Sequence, residues 1–368
     1  MRFPDRHLWL ILASGALLGL FGILLSLWGN PENSGICVSC FIENSAGALG
    51  FHSNPRMQYL RPELIGFVLG SLACASIFSE FRPRGGSASL TRLISGIFLI
   101  VGCAIFIGCP IKLFLRLAAG DLTALAGVAG LAAGVWGGIR LSAAGVVVGS
   151  HSREGGAAGG LMVPAAFMLL LLFLFVRPSF ILSSETGSGA QYAPQLLSLA
   201  AGLLLGALAQ RSRFCITGSL RDVLLMGVRA PLLWGMLTFA GTALAAAVVT
   251  GSFNLGFYGQ PGAHSDHLWS FLGMGLVGAI SVVIGGCPFR QLVKAGEGDA
   301  DAGMTVVGMF VGGALVQSWE IAATAAGVPL YGKVAVLAGI FFLLGISLLV
   351  RVRPGLGPAR MAGSIKSE

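Results

Sequence analysis

Charge is what this 368-residue chain has least of. Asp, Glu, Lys and Arg together make up 10% of it, against roughly 25% in a soluble domain. Hydrophobic residues reach 55% and glycine 56 positions. A soluble fold of this size has too little polar cover for that much apolar surface, and disorder requires the opposite composition. The chain therefore reads as a polytopic membrane protein. Acidic residues are the scarcer sign, 15 against 23 basic ones, for a net charge of +8. In a membrane protein such an excess collects in cytoplasmic loops, so nucleic acid is not implied as a partner. An even cysteine count is missing as well. With seven cysteines, at least one has no disulfide partner within the chain, and most lie in or beside apolar segments. No G-x-x-x-x-G-K-[ST] motif occurs, which argues against ATP-driven transport by this chain alone. His264 and His267 flank Asp266 in a loop, but nothing gathers the further ligands a zinc site needs. No metal and no cofactor is expected.

Long apolar runs are abundant. Spanning roughly 30 Å of hydrocarbon takes about 17–25 residues. Candidates lie near 8–28, 62–80, 91–108, 121–139, 160–178, 194–210, 231–250, 269–286, 302–319 and 333–350. Many are rich in Gly and Ala, which permits close helix packing in lipid. Arg2 and Arg6 before the first run give it the look of a signal peptide. Its apparent counterpart in mid-chain cannot be cleaved, so both are read as retained spans.

Two motifs recur at one spacing. Gly108-Cys109-Pro110-x-Lys112-x-x-x-Arg116 leads to Gly120-Asp121, and Gly286-Cys287-Pro288-x-Arg290-x-x-x-Lys294 leads to Gly298-Asp299. Cys37-x-Ser39 and Cys215-x-Thr217 form the second pair, and the offset from Cys37 to Cys215 equals that from Cys109 to Cys287. This marks a duplication, with residues 1–178 and 179–368 as repeats within one integrated membrane domain. Five spans per repeat is an odd number, so the second copy is expected upside down, with a site near the midplane between the halves. Arg82, Arg84, Arg92, Arg140, Arg153 and the stretch from Arg211 to Arg229 would share one side with the tail residues Arg351, Arg353, Arg360 and Lys366. The opposite loop at about 251–268 has no Lys or Arg. The positive-inside rule then puts both termini in the cytoplasm. The expected fold is all-α, with about ten transmembrane helices plus short half-spanning helices, arranged as two inverted repeats around a central path.

Proline is favoured at the first position of a helix, so Gly-Cys-Pro places Cys109 and Cys287 at helix N-termini, beside free N–H groups and the positive dipole end. Lys112 and Arg116 follow Cys109 at three and seven residues, on one helix face; Arg290 and Lys294 follow Cys287 in the same way. Each repeat thus offers a thiol, a helix N-terminus and two cations, a pattern that attracts an anion with a soft sulfur contact. The bland alternative for the cations is snorkelling toward headgroups. Cys74 and Cys103 have no counterparts and read as packing residues. Cys37 and Cys215 complete the candidate set of Cys37, Cys109, Cys215, Cys287, Lys112, Arg116, Arg290 and Lys294. Cys37 and Cys40 also spell C-x-x-C, a weak redox signal because Gly218 stands where the counterpart of Cys40 would be.

The stretch Gln210-Arg-Ser-Arg-Phe-Cys-Ile-Thr-Gly-Ser-Leu-Arg-Asp222 resembles the signature of the YeeE/YedE membrane family, which includes thiosulfate uptake proteins with cysteines along an hourglass-shaped path. Gly285-Gly-Cys-Pro-Phe-Arg-Gln-Leu-Val-Lys-Ala-Gly-Glu-Gly298 is similar to the branch associated with selenium metabolism. The resemblance implies a non-enzymatic permease of the bacterial inner membrane for a small sulfur- or selenium-containing anion, with a cytosolic sulfur or selenium carrier protein as a further candidate partner beside the lipid bilayer. The Pro and the two basic residues after each Gly-Cys depart from a thiosulfate-type pattern. A competing function is a membrane thiol oxidoreductase, or a sulfur or selenium transferase, with Cys37 and Cys40 as the active pair.

Overall fold

A computed structural model describes residues 6–86, 88–146, 148 and 153–352, the side chains of 153, 154 and 350–352 excepted. Arg2, Arg353, Arg360, Lys366 and the side chains of Arg153 and Arg351 therefore lie outside the described residues. The chain is an all-α, multi-pass membrane protein. Its helices are α1 (Arg6–Leu27), α2 (Val38–Ala48), α3 (Pro62–Ile77), α4 (Ser89–Phe106), α5 (Pro110–Ala118), α6 (Ala124–Ala143) and α7 (Ala157–Val176). They continue with α8 (Gln195–Ser212), α9 (Ile216–Met226), α10 (Pro231–Val249), α11 (His267–Ile284), α12 (Pro288–Gly296), α13 (Ala300–Ser318) and α14 (Leu330–Val352). Two-residue strands at Arg84–Gly85 and Arg153–Glu154 pair antiparallel.

All ten expected spans are helical, each boundary within a few residues. Nine are long and apolar enough to cross a membrane among the described residues; α3, with 16 residues, is the short one. At 1.5 Å per residue it reaches about 24 Å. It packs along its length against α8 and α12, and protein contacts supply the surroundings that lipid would give a longer helix. The half-spanning helices α2, α5, α9 and α12 have 9–11 residues each.

The repeat is exact in the structure at three places. Moving α2, α4 and α5 along the chain by the offset between the motifs gives the bounds of α9, α11 and α12. Packing follows the same correspondence: α6 lies on α11 as α13 lies on α4, and α3 lies on α8 as α10 lies on α1. Glycines set these four crossings. Gly134 faces the backbone of Gly275, Gly308 that of Leu93, Gly66 that of Gly202 and Gly15 that of Gly235, leaving no room for a Cβ. Without a hydrophobic drive between helices in lipid, close backbone approach supplies the packing contacts.

Corresponding helices run in opposite directions. Ser14 in α1 bonds Ser212 at the end of α8, while Asn30 just after α1 accepts from Ala193 just before α8. In the pair α4 and α11, Gly102 touches Gly273, and Phe98 and Leu276 meet at Gly339. Corresponding helices therefore pack antiparallel, the arrangement that inverted repeats require. The face where α1 begins is called the near face, its opposite the far face; α14 ends at the near face.

Candidate functional site

Each repeated cysteine sits at the same local position. Cys37, Cys109, Cys215 and Cys287 are the N-caps of α2, α5, α9 and α12, all in extended backbone conformation, and Pro110 and Pro288 occupy the first turn of their helices. Extended backbone at the cap followed by a half-length helix points the first N–H groups of four helices inward. One of them is used at once: Val38 N–H donates to Cys109 Sγ at 3.3 Å. This ties the two cysteine helices of the first repeat together. Cys215 Sγ lies 3.4 Å from Cys287 Sγ and ties those of the second. Ser39 and Thr217 face the sulfurs of Cys37 and Cys215 at 3.4 and 3.3 Å. All seven thiols are free.

The two cysteine pairs lie below cavities that open on opposite faces. The far cavity has a volume of about 1120 Å³ and reaches Cys40, Glu43, Arg61 and Lys112. The near cavity has about 390 Å³ and reaches Cys215, Thr217, Arg221 and Arg290. They share no lining residue. Between them the thiols of Cys37, Cys109 and Cys287 are buried to 1% exposure or less. The arrangement is two wells with sulfur at the bottom of each and closed packing in the middle.

The two cations of each repeat share a helix face but not a cavity. Lys112 and Arg290, three residues after their cysteines, line the far and near cavities. Arg116 lines neither. It is 1% exposed and each of its three guanidinium nitrogens is engaged, donating to Asp121 at 2.6 Å, Phe106 C=O at 2.9 Å and Thr123 at 2.8 Å. Lys294 pairs with Asp299 at 3.3 Å and lines a separate pocket with Arg92 and Arg221. Seven residues along a helix is two turns, which carries the second cation to the loop that closes its own helix. The Asp of the repeated Gly-Asp waits there. That Asp stood in both motifs, and its spacing from the cation was the signal that the second basic residue has a structural partner. None of these cations snorkels outward: Lys112 and Arg116 are buried, and Arg290 is 8% exposed.

The two cavity cations also differ from each other. Arg290 pairs with Glu297 at 3.0 Å, and Glu297 is held in turn by Arg213 at 2.7 Å. In the first repeat the position equivalent to Glu297 is Ala119. Lys112 accordingly has no carboxylate within ion-pair distance among the described residues; its ammonium group lies beneath Gly262. A buried cation without a bonded counter-ion is costly.

Cys40, the second cysteine of the C-x-x-C pair in the competing oxidoreductase reading, lies with its Sγ 2.8 Å from that of Cys37 and lines the far cavity. One cavity residue was not singled out by the sequence. Glu43, one turn further along α2, accepts from the Gln317 side chain of α13 and is 4% exposed. Its signal was present: an acidic residue in a chain so poor in acids, three residues after a cysteine. Cys74 and Cys103 are buried and line neither cavity. His264 is occupied by Ile105 C=O at 2.7 Å, and no cluster of three metal-binding side chains exists among the described residues.

Comparison with known proteins gave no match to any family model, and no curated protein matched the chain.

Proposed function

We propose that this protein is a permease for a small sulfur- or selenium-containing anion, thiosulfate-like or a selenium species, in the bacterial inner membrane. The observation that carries it is the pair of opposed cavities, the far one lined by Cys40 and Lys112 and the near one by Cys215 and Arg290, with the buried N-capping cysteines Cys37, Cys109 and Cys287 packed between them. Helix N-termini and a cation attract negative charge. Thiols are weak hydrogen-bond donors with a polarizable sulfur, so they favour a soft terminal S or Se over the hard oxygens of sulfate. An anion would shed water in one well, pass the sulfur contacts while the central packing opens, and leave through the other. The resemblance of the segments around Cys215 and Cys287 to the YeeE/YedE family supports this reading. Arg82, Arg84, Arg211, Arg213 and Arg229 gather at the near face, which supports a cytoplasmic position for that face and both termini. A cytosolic sulfur or selenium carrier would then receive the anion there.

Uptake into membrane vesicles tests the reading with thiosulfate, selenosulfate, sulfite, selenite and sulfate as probes. Saturable entry of a soft anion, with sulfate excluded, is the expected outcome. No entry of any probe would overturn it.

One contact favours a second reading, the thiol oxidoreductase. Cys37 and Cys40 are within sulfur contact, and Cys40 is accessible from the far cavity. That function requires a disulfide that cycles and an electron-accepting partner, whereas the permease needs no catalysed reaction.

A further inference from the structure

Glu43 has a position that the duplication does not account for. Its counterpart in the second repeat is Arg221, so the near cysteine helix carries a cation where the far one carries an acid. Arg221 is satisfied locally by Asp222 at 2.8 Å. Glu43 has no basic residue within ion-pair distance among the described residues. Gln317 donates to one carboxyl oxygen, and the orientation of that amide is set from behind, because Asn54 donates to Gln317 Oε1 at 2.7 Å. The other carboxyl oxygen has no hydrogen-bond partner among the described residues, and Glu43 lines the far cavity together with Lys112. Three residues separate Glu43 from Cys40, placing carboxyl and thiol on one helix face.

We infer that Glu43 is a proton-binding site coupled to the anion, so that a proton enters the far cavity with each anion and the carrier runs as a proton–anion symporter. This rests on the permease reading above. Where this carboxyl is ionised in the empty cavity, the Lys112 ammonium group and the Gln317 N–H are what favour its charge inside the membrane. An anion taken up beside Lys112 cancels the first of these and adds a like charge at the same wall. A proton on the free oxygen, which water in the cavity can deliver, removes the conflict. Binding is reciprocal by linkage: the anion strengthens proton binding, and the proton strengthens anion binding by the same factor.

The other titratable groups around Glu43 do not substitute for it. Cys40 on its own helix lines the cavity as a soft contact, Cys37 is buried behind it, and Cys103 of α4 is enclosed in the core. His52, from the segment after α2, is committed to the Glu43 backbone carbonyl at 2.9 Å. Arg61 is held by Asn30, Asn44 and the Ser188 carbonyl. Arg56, Glu32 and Glu320 stand further out in the cavity wall.

The test uses the full chain in liposomes loaded with a pH-sensitive dye, with thiosulfate and selenosulfate as probe ions, because both stay dianions across the range scanned. Expected is acidification of the lumen with uptake and an apparent KM that rises by up to about tenfold per pH unit once the empty-site carboxyl has ionised. E43Q is expected to lose that slope, and E43D to keep it with a displaced midpoint. Uptake without acidification, at a KM independent of pH, overturns the proton site and leaves the permease standing. An E43Q variant that retains the slope overturns it also. If neither probe enters with the wild-type chain, the permease reading falls and takes this one with it.

Discussion

Cys215 and Cys287, 72 residues apart in sequence, hold their sulfur atoms 3.4 Å apart at the floor of the near cavity. Each caps a half-length helix, and the two caps meet where two cut helix ends leave N–H groups without intrahelical partners. The two sulfurs and Thr217 Oγ1 are the side-chain atoms in mutual contact there. The chemistry of the site is therefore soft and acceptor-poor, with positive helix ends behind it.

That distance makes a chemical prediction. Mild oxidation with diamide in the membrane should give two disulfides, Cys37–Cys40 and Cys215–Cys287, detected as linked peptides by mass spectrometry without reduction. Cys74, Cys103 and Cys109 should remain free. A Cys215 that pairs with any other cysteine, or stays reduced while Cys37–Cys40 forms, would contradict the contact.

Substitution of Cys40 separates the two functional readings. A permease using the repeated cysteines should lose less uptake in Cys40→Ser than in Cys109→Ser, Cys215→Ser or Cys287→Ser, because only the latter three cap a half-spanning helix at the junctions. An oxidoreductase demands the opposite order, since breaking the Cys37–Cys40 contact ends its redox cycle. Initial rates at matched protein levels in vesicles decide between them.

The spans, the inverted order of the helices and the cysteine caps were legible in the sequence because each leaves a local mark: an apolar run, one offset shared by two motifs, a proline after a cysteine. The partners of the charges left no such mark by periodicity. Helical spacing put Lys112 and Arg116 on one face, which the structure keeps, but a face says nothing of what lies at its end. Asp121 belongs to the loop beyond α5, and Glu297 stands opposite an alanine in the other repeat. Comparing the repeats residue by residue, rather than motif by motif, would have exposed Ala119 against Glu297 and Glu43 against Arg221. The Gln317 partner of Glu43 comes from a helix 274 residues away, which no local pattern announces.

Glycine packing gives a prediction with its control on the same helix. A Cβ at Gly134 would run into the backbone of Gly275, which cannot rotate away, whereas one at Gly137 meets nothing. Gly134→Val should therefore destabilise the bundle by about 1–3 kcal/mol or force α6 and α11 apart. Gly137→Val should stay within about 0.5 kcal/mol of wild type. Thermal unfolding in detergent followed by tryptophan fluorescence checks both, and equal midpoints would refute the crossing at Gly134.

The last prediction sets Lys112 against Arg116, neighbours on α5 with opposite tasks. Lys112 faces the far cavity with no carboxylate in ion-pair distance among the described residues, so Lys112→Gln removes a Coulomb attraction for the arriving anion. At an effective dielectric of 20 and a separation of about 6 Å that attraction is roughly 3 kcal/mol. Burying the charge already costs much of this, leaving a net loss of about 1 kcal/mol, near fivefold in apparent KM, at normal expression. Arg290→Gln should cost less, because Glu297 already answers part of its charge at 3.0 Å. Arg116→Gln should behave in another way altogether. It strands Asp121, 0% exposed and bonded to Arg116 at 2.6 Å, and removing one partner of a buried pair costs about 3–5 kcal/mol of stability. Its signature is loss of folded protein with an unchanged KM in whatever survives. Uptake kinetics beside detergent-stability curves distinguish the three. A Lys112→Gln variant with normal expression and unchanged KM would remove the anion from the far cavity, and a neutral sulfur or selenium species would then be the better substrate.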